Sequence, residues 1–337
     1  MTVYTFWNNK GGTGKTTLCF QTILRYANQH MDHRILAIDL CPQANLSELL
    51  FGGMIGHGAH HLDALYQKTP RCSVGGYFEQ RFTSPFQATG ITPQNYISKP
   101  FQNNVNVPQN VDLMAGDRLV ELQSSYMSSL STTQVPKVRT YASILSWLKD
   151  LLKVVEDDYD IVFIDTNPSF SIYTQIALAA SENLIIPVMA DDSSKRALYN
   201  VLALVYGIQL PPVYANNAFF TEMQSARMGL PRIHSIIKNR LTQYMGPASA
   251  YQSVLQSIDK LVNHLRRQNG DYFSTQFDIY NVRDFQTTGV VAHAEAKSFD
   301  KLQEEPLKHV IEGKETQLDR SYIRKNADDI SAFVDLL

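Results

Sequence analysis

The ten residues Asn8-Asn9-Lys10-Gly11-Gly12-Thr13-Gly14-Lys15-Thr16-Thr17 decide the fold of this 337-residue chain. They follow a short apolar run at residues 3–7, typical of a buried strand, and they precede a helical pattern at residues 16–28. A glycine-rich turn between a strand and a helix is the context of a phosphate-binding loop, because glycine lets backbone N–H groups approach phosphate oxygens. The sequence therefore predicts a nucleotide phosphate site at this turn.

Each side chain of the loop suits one part of a nucleotide–metal complex. The Lys15 ammonium would neutralise the β- and γ-phosphates, and the Thr16 hydroxyl would ligate Mg²⁺. The start of the following helix adds positive potential to the same place. The loop residues predicted to bind the nucleotide are Gly11, Gly12, Thr13, Gly14, Lys15, Thr16 and Thr17.

Strand and helix patterns alternate along most of the chain. Strands are predicted at 34–39, 159–165, 183–188, 233–238 and, as the last strand, 277–280; helices are predicted at 138–155, 172–180, 195–206 and 248–267. Such alternation predicts right-handed crossovers, and therefore an α/β fold with a doubly wound, mostly parallel sheet. Ligands of these folds bind at the carboxyl ends of the strands.

Residues 52–109 interrupt this alternation. They are rich in Gly, Pro, Gln, Asn and aromatic residues, and the stretch is too long for an ordinary connection. We therefore expect one domain over residues 1–337, with an insertion or subdomain at 52–109 after the second strand. The aromatic residues there indicate a small packed subdomain or a partner surface.

Composition narrows the class of protein. The three cysteines, Cys19, Cys41 and Cys72, are too few and too widely spaced for a disulfide scaffold. No stretch reaches the roughly 18 apolar residues of a membrane-spanning helix, and the first apolar run lacks the form of a signal peptide. The sequence therefore predicts a soluble cytoplasmic protein. The formal net charge of −2 excludes a uniformly basic protein and leaves local basic patches possible.

Several motifs resemble those of the ParA/MinD family of ATPases. The KGGTGKTT loop, with Asn9 at the first glycine position of a standard phosphate loop, resembles the family's deviant Walker A motif. Residues 38–47, with Asp39, Cys41, Pro42 and Asn45, resemble its second motif, and residues 162–169, with Asp165, its Walker B strand. The resemblance implies a P-loop NTPase fold, ATP and Mg²⁺ as cofactors, and a homodimer that sandwiches ATP. In such dimers the early lysine, here Lys10, reaches the partner's phosphates.

The resemblance also assigns residues to the base and the metal. Asn239-Arg240 resembles the pair whose asparagine contacts the adenine edge, and Arg283 lies in the later strand end that lines the base. Asp165 is expected to hold a Mg²⁺-bound water, with Thr16 as a ligand and Asp39 bonded to the metal's water or to the loop. The predicted catalytic residues are Lys10, Lys15, Asp39 and Cys41.

Cys41 is the departure from the family pattern. Family members usually carry a second aspartate here that orients the attacking water, and a thiol is too weak a hydrogen-bond acceptor for that role. We therefore expect slow hydrolysis, assisted by Asp39 or by a group from a partner, although an ATP-dependent clamp with almost no turnover remains an alternative.

A basic stretch suggests a nucleic-acid partner. Residues 225–285 contain eight lysines and arginines against four aspartates. Sequence-independent phosphate binding, at Arg227, Arg232, Arg266 and Arg267, competes with the simpler interpretation of a solvated helix face.

Four functions compete. The first is a DNA- or nucleoid-associated partition ATPase that binds DNA non-specifically as an ATP dimer and responds to a ParB-like, centromere-binding adaptor. The second is a MinD-like positioning ATPase, which the mixed charge of residues 321–337 disfavours because membrane binding needs a basic amphipathic tail. The third, an iron–sulfur reductase, lacks the required cysteine pair. The fourth is a regulatory or metabolic P-loop enzyme that does not bind DNA.

Overall fold

The computed structural model describes residues 1–189, 191–215, 219–241 and 248–337. Within them, eight strands form one sheet in the order β3-β4-β2-β5-β1-β6-β7-β8. All neighbours are parallel except the edge strand β3, which runs antiparallel to β4. The strands are β1 Thr2–Phe6, β2 Ile35–Asp39, β3 Ile97–Ser98, β4 Val111–Met114, β5 Ile161–Asp165, β6 Asn183–Met189, β7 Arg232–Leu241 and β8 Phe273–Arg283.

Helices cover both faces of the sheet. In chain order they are α1 Lys15–Gln29, α2 Asn45–Leu50, α3 Gly58–Tyr66, α4 Val74–Thr83, α5 Leu119–Thr132, α6 Thr140–Leu145, α7 Trp147–Val154, α8 Ile172–Ala180, α9 Asp192–Tyr206, α10 Pro212–Ala215, α11 Phe219–Ser225, α12 Ala248–Gln268, α13 Gln286–Ala294, α14 Phe299–Glu304 and α15 Arg320–Val334. Helices α4–α9, α11 and α12 pack on one face, and α1–α3 with α13–α15 pack on the other. The predicted doubly wound, mostly parallel α/β fold is confirmed.

The central strands are buried on both faces, so their side chains are apolar in a continuous run. In β2, Leu36 and Ile38 join one core, whereas Ile35 and Ala37 join the other. This pattern is expected for a parallel sheet between two helical layers. It also places the carboxyl ends of β1, β2 and β5 side by side, since Asp165 is in register with both Phe6 and Asp39.

Two predicted elements differ in the structure. The helix predicted at 138–155 is two helices, α6 and α7, with Ser146 between them; the Ser146 hydroxyl donates to the carbonyl of Ala142, a bond that bends helices. The strand at 277–280 is not the last one, because a hairpin of β9 Lys308–Ile311 and β10 Lys314–Gln317 follows. Its strands are largely polar and exposed, so they lack the apolar alternation that predicts a strand.

The segment 52–109 is folded and packed in the structure. Its helices α3 and α4 and strand β3 contribute to both cores: Val74, Tyr77 and Phe78 lie in one, and Leu62 and Leu65 in the other. Tyr77 Oη donates to the carbonyl of Trp147 in α7, so the segment is tied to the helical layer as well as to the sheet edge.

Candidate nucleotide-binding site

The loop from Asn8 to Gly14 connects β1 to α1 at the carboxyl edge of the sheet. Lys15 is the first residue of α1 and is 7% exposed, with its Nζ 3.4 Å from the carbonyl oxygens of both Asn8 and Lys10. Burial lowers the pKa of Lys15, and the nearby Asp165 opposes that shift. The amine is therefore held inside its own loop by weak, long contacts, which a phosphate oxygen could replace.

Strand β7 supports this loop from the side. Asn239 is buried, and its Nδ2 donates to the carbonyl oxygen of Thr13 at 2.9 Å, while its Oδ1 accepts from the N–H of Arg240 at 2.8 Å. Gly14 has a φ of +83°, and a Cβ built on it would lie 2.2 Å from Asn239 Nδ2. Only glycine therefore allows the loop to lie this close to the asparagine.

Asp165 and Thr16 form the predicted metal edge. The Thr16 hydroxyl donates to Asp165 Oδ2 at 2.7 Å, and Asp165 Oδ1 is buried without a hydrogen-bond partner among the described residues. A buried carboxylate oxygen without a partner is costly, and a hydroxyl beside a carboxylate is a donor set that suits Mg²⁺. The residues present therefore fit the metal that the sequence predicts.

Asp39 lies next to Asp165 on the neighbouring strand and is held by its own chain. Its Oδ1 accepts from the Cys41 N–H at 3.0 Å, and its Oδ2 accepts from the Ser47 N–H at 2.9 Å and the Ser47 hydroxyl at 2.8 Å. Burial raises the pKa of both aspartates, and the charge of Asp39 adds to the rise in the pKa of Asp165. Two adjacent buried carboxylates indicate a place where a cation would be stabilised.

Cys41 follows Asp39 at the same edge and is 9% exposed. Burial, together with the charges of Asp39 and Asp165, raises the pKa of its thiol to about 12. The side chain therefore stays a neutral thiol and cannot take a proton from water at ordinary pH. That Cys41 slows hydrolysis because it replaces a carboxylate remains a prediction. The buried, neutral thiol gives that prediction a physical basis.

Lys10 pairs with a residue that sequence reasoning missed. Its Nζ forms an ion pair with the carboxylate of Asp191, whose side chain also caps the start of α9. Burial opposes ionisation, yet hydrogen bonds from Lys10, Ser193 and Ser194 lower the pKa of Asp191 to about 2. The sequence signal was a helix N-cap pattern, Asp-Asp-Ser-Ser at residues 191–194, before a helical pattern.

A cavity of about 630 Å³ opens beside the loop, where a nucleotide base would lie. Gly14, Thr17, Asn239 and Arg240 line it, together with Asp284 from the strand end that the resemblance assigns to the base. The other lining residues were not indicated by the sequence and come from the region of α13, the hairpin and segment 52–109: Phe285, Gln286, Gly289, Val290, His293, Ala294, Ile311, Glu312 and Met54.

Arg283 does not line this cavity with the residues that follow it. Its guanidinium forms a two-point ion pair with Asp329 of α15, at 2.7 and 2.8 Å, and its backbone N–H bonds the same carboxylate. A geometry of this kind fastens the end of β8 to the C-terminal helix. The side chain is therefore engaged in packing, next to the predicted base site.

Comparison with known proteins identifies the family of this chain. Residues 1–216 match a family model described as an AAA domain (AAA_31). The chain belongs to this family. The family resemblance to ParA/MinD ATPases is confirmed by named relatives: the chromosome-partitioning ATPase Soj of Treponema pallidum is 26% identical over 245 residues, which are 72% of this chain and 78% of Soj.

Solved structures share the fold. McdA from Cyanothece in complex with ATP superposes with a TM-score of 0.62 at 15% identity, covering 98% of this chain and 95% of McdA. A plasmid partition protein from Borrelia burgdorferi bound to AMPPNP superposes with a TM-score of 0.57 at 16% identity, covering 100% of this chain and 99% of that one. At these identities the likeness shows the shared P-loop fold.

The predicted DNA-binding arginines of this ParA/MinD-family chain lie at the opposite edge of the sheet. Arg227 and Arg232 stand before and at the amino end of β7, and Arg266 and Arg267 end α12 just before β8. Arg266 and Arg267 are both exposed, and the guanidinium of Arg266 lies 5.1 Å from the centre of the Phe277 ring. The structure thus brings the four arginines to one edge, away from the phosphate loop.

Within the part of this chain that the structure describes, no helix is both long enough and apolar enough to cross a bilayer.

Proposed function

We propose that this chain is a partition-type ATPase whose two working surfaces lie at opposite edges of one sheet. The carboxyl edge binds ATP and a second copy of the chain, and the amino edge binds DNA without sequence preference. The ATP dimer would segregate or position DNA or another cargo through a ParB-like, centromere-binding adaptor that stimulates slow hydrolysis. Residues 1–337 form one ATPase domain in this proposal, with 52–109 as an insertion within it.

The observation that carries the proposal is the position of Lys10. It stands at the start of the loop with its side chain 23% exposed, and among the described residues its ammonium pairs with Asp191, whose side chain is 42% exposed. A partly exposed ion pair of this kind is weak and can be exchanged for a phosphate of higher charge. Lys10 is therefore able to leave its own subunit's loop and bind the phosphates of a partner.

The remaining loop residues bind and orient the nucleotide. Lys15 would contact the β- and γ-phosphates, while the loop N–H groups and the start of α1 surround them. Thr16 and Asp165 would hold Mg²⁺, which supplies charge neutralisation at the phosphates. Cys41 occupies the position where the family pattern has a second aspartate, and Asp39 is the carboxylate next to it. We therefore expect slow ATP turnover until a partner assists.

The separation of the two edges supports DNA binding by a dimer. In a dimer formed through the carboxyl edges, the arginines at the amino edges of both copies stay accessible. Contacts of this kind act on phosphates and weaken steeply with salt. A cytoplasmic, nucleoid- or DNA-associated location would follow from them, with no membrane partner.

The decisive experiment measures the mass of the protein in solution with Mg-ADP, with Mg-ATP, and with each in the presence of duplex DNA. We expect monomer with ADP, and dimer that retains DNA only with ATP. Lys10→Ala is the matched variant, which should bind ATP and remain monomeric, while Lys153→Ala, at an exposed lysine of α7, should dimerise. An ATP dimer that ignores DNA would instead favour a MinD-like positioning ATPase or a regulatory or metabolic enzyme.

A further inference from the structure

The inserted segment contacts the catalytic edge through the loop that follows β4. The Tyr66 hydroxyl, at the end of α3, donates to the carbonyl oxygen of Gly116 at 2.8 Å. The N–H of Val74, at the start of α4, donates to the carbonyl of the preceding residue, Ala115, at 2.8 Å. Two consecutive carbonyls of this loop are thus held by the insertion.

Asp117, the next residue of the loop, is held more firmly. Its side chain is fully buried and accepts from Arg71 Nε at 3.0 Å, from Arg71 Nη2 at 2.7 and 2.8 Å, and from the Ser73 hydroxyl at 2.6 Å. Arg71 also donates to the carbonyl of Tyr66 and lies 4.8 Å from the centre of its ring. A buried, two-point carboxylate–guanidinium pair with further hydrogen bonds fixes both partners in one geometry.

The same loop touches Asp39 on its other side. The N–H of Gly116 donates to the Ser47 oxygen at 2.9 Å, and the Ser47 hydroxyl donates to Asp39 Oδ2 at 2.8 Å. A Cβ on Gly116 would lie 2.9 Å from Asp39 Cγ, so the loop backbone is packed directly on the carboxylate. A continuous chain of hydrogen bonds therefore runs from Tyr66 through Gly116 and Ser47 to Asp39.

We propose that Tyr66, Arg71 and Ser47 are positioning residues for Asp39, and that the insertion sets the geometry of the catalytic edge through Gly116 and Asp117. The inference rests on the proposed ATPase function, because it assigns Asp39 a part in hydrolysis. Whatever displaces the insertion would displace Asp39, whereas the phosphate loop, which the insertion does not hold through these bonds, would keep its affinity for nucleotide.

Tyr66→Phe tests the chain by removing one hydroxyl. We expect kcat for ATP to fall about three- to tenfold, the effect of one lost hydrogen bond, with the Kd for ATP changed less than about twofold. Tyr96→Phe is the matched control: its hydroxyl bonds Gln80 within the same insertion at 2.9 Å and does not touch the chain. Equal kcat values for the two variants would overturn the proposal.

A double-mutant cycle separates positioning from general loosening of the fold. In a Ser47→Ala background the bridge to Asp39 is already broken, so adding Tyr66→Phe should change kcat little. Ser47→Thr, which keeps the hydroxyl, should restore most of the activity that Ser47→Ala loses. Fully additive losses would show that Tyr66 acts by some other route.

A measurement without hydrolysis distinguishes failure of this inference from failure of the proposed function. The N–H groups of Cys41 and Ser47 both donate to Asp39, so their hydrogen exchange reports its position. We expect faster exchange in residues 40–47 for Tyr66→Phe than for Tyr96→Phe. Absence of ATPase activity in the unmodified chain would contradict the proposed function, while unchanged exchange would contradict the positioning role.

Discussion

Asn239 Nδ2 lies 2.9 Å from the carbonyl oxygen of Thr13, so a residue of β7 holds the phosphate-binding loop in place. The side-chain oxygen of this asparagine, Oδ1, accepts a hydrogen bond from the N–H of Arg240. Both polar atoms are thus engaged in supporting backbone, although the family resemblance predicts that the asparagine contacts the base.

These two roles of Asn239 predict different binding defects. We expect Asn239→Asp, which puts a carboxylate against the Thr13 carbonyl, to weaken ATP and inorganic tripolyphosphate by similar factors, about five- to twentyfold. Tripolyphosphate has no base, so calorimetric titration of both ligands isolates the effect on the loop. A loss confined to ATP would instead support direct contact between Asn239 and adenine. Gln286→Ala, at the cavity wall, is the comparison, because its effect should be limited to ATP and leave tripolyphosphate binding unchanged.

Release of Lys10 from Asp191 is predicted to favour the dimer. Asp191→Asn should lower the protein concentration at which half the ATP-bound chain is dimeric by about two- to fivefold, the range for a partly exposed ion pair. Sedimentation velocity at low and high salt measures this midpoint concentration. The difference from the unmodified chain should shrink at high salt, because salt screens the Lys10–Asp191 ion pair. Asp32→Asn, at the amino edge, is the control, and equal midpoints for the two variants would contradict the prediction that Asp191 restrains Lys10.

The same pair predicts little pH dependence in the physiological range. The pKa of Asp191 is lowered to about 2, below its usual 3.8, so the stabilisation is present above the unfolded value and is lost as pH falls through the folded one. Between about pH 5 and pH 8 Asp191 stays charged. A dimerisation constant that rises on mild acidification would show that another group holds Lys10.

Cys41→Asp is expected to raise basal ATPase activity. It places a carboxylate where a thiol of high pKa now stands, and a carboxylate can orient the attacking water. A third carboxylate beside Asp39 and Asp165 should also lower the melting temperature without Mg-ATP and restore it with Mg-ATP. Cys41→Ser, which adds no carboxylate, is the control in steady-state assays. An unchanged or lower rate in Cys41→Asp would remove this account of slow turnover.

Arg267 and Arg266 are adjacent yet are predicted to contribute unequally to DNA binding. Arg267→Ala should weaken the ATP form's binding to duplex DNA and reduce the salt slope by about one, the loss of one phosphate contact. Arg266→Ala should have the smaller effect on the slope, because its guanidinium lies over Phe277, and should cost stability instead. Fluorescence anisotropy across salt concentrations checks both, and equal slopes would contradict the assignment.

Local sequence predicted the phosphate loop, helix α8 and strands β1, β2 and β5 to β8, because each depends on neighbouring residues. The break at Ser146 depends on a single side-chain hydrogen bond, and periodicity does not register it. Asp191, Gln286 and Ile311 join the site from distant parts of the chain, and only the packed fold brings them there. The partners of Arg283 and Arg266, Asp329 and Phe277, are likewise set by tertiary packing.

The phosphate loop and most of the base cavity are formed by different parts of the sequence. The family match ends at residue 216, whereas Asn239, Arg240, Asp284 and Glu312 all lie beyond it, on strands and a hairpin added later in the sequence. The phosphate loop lies within the matched residues, whereas most of the residues that line the cavity follow them in the sequence. Substitutions in the cavity lining that do not touch the phosphate loop are therefore expected to change which nucleoside triphosphate the protein prefers, while the residues that contact the phosphates stay the same.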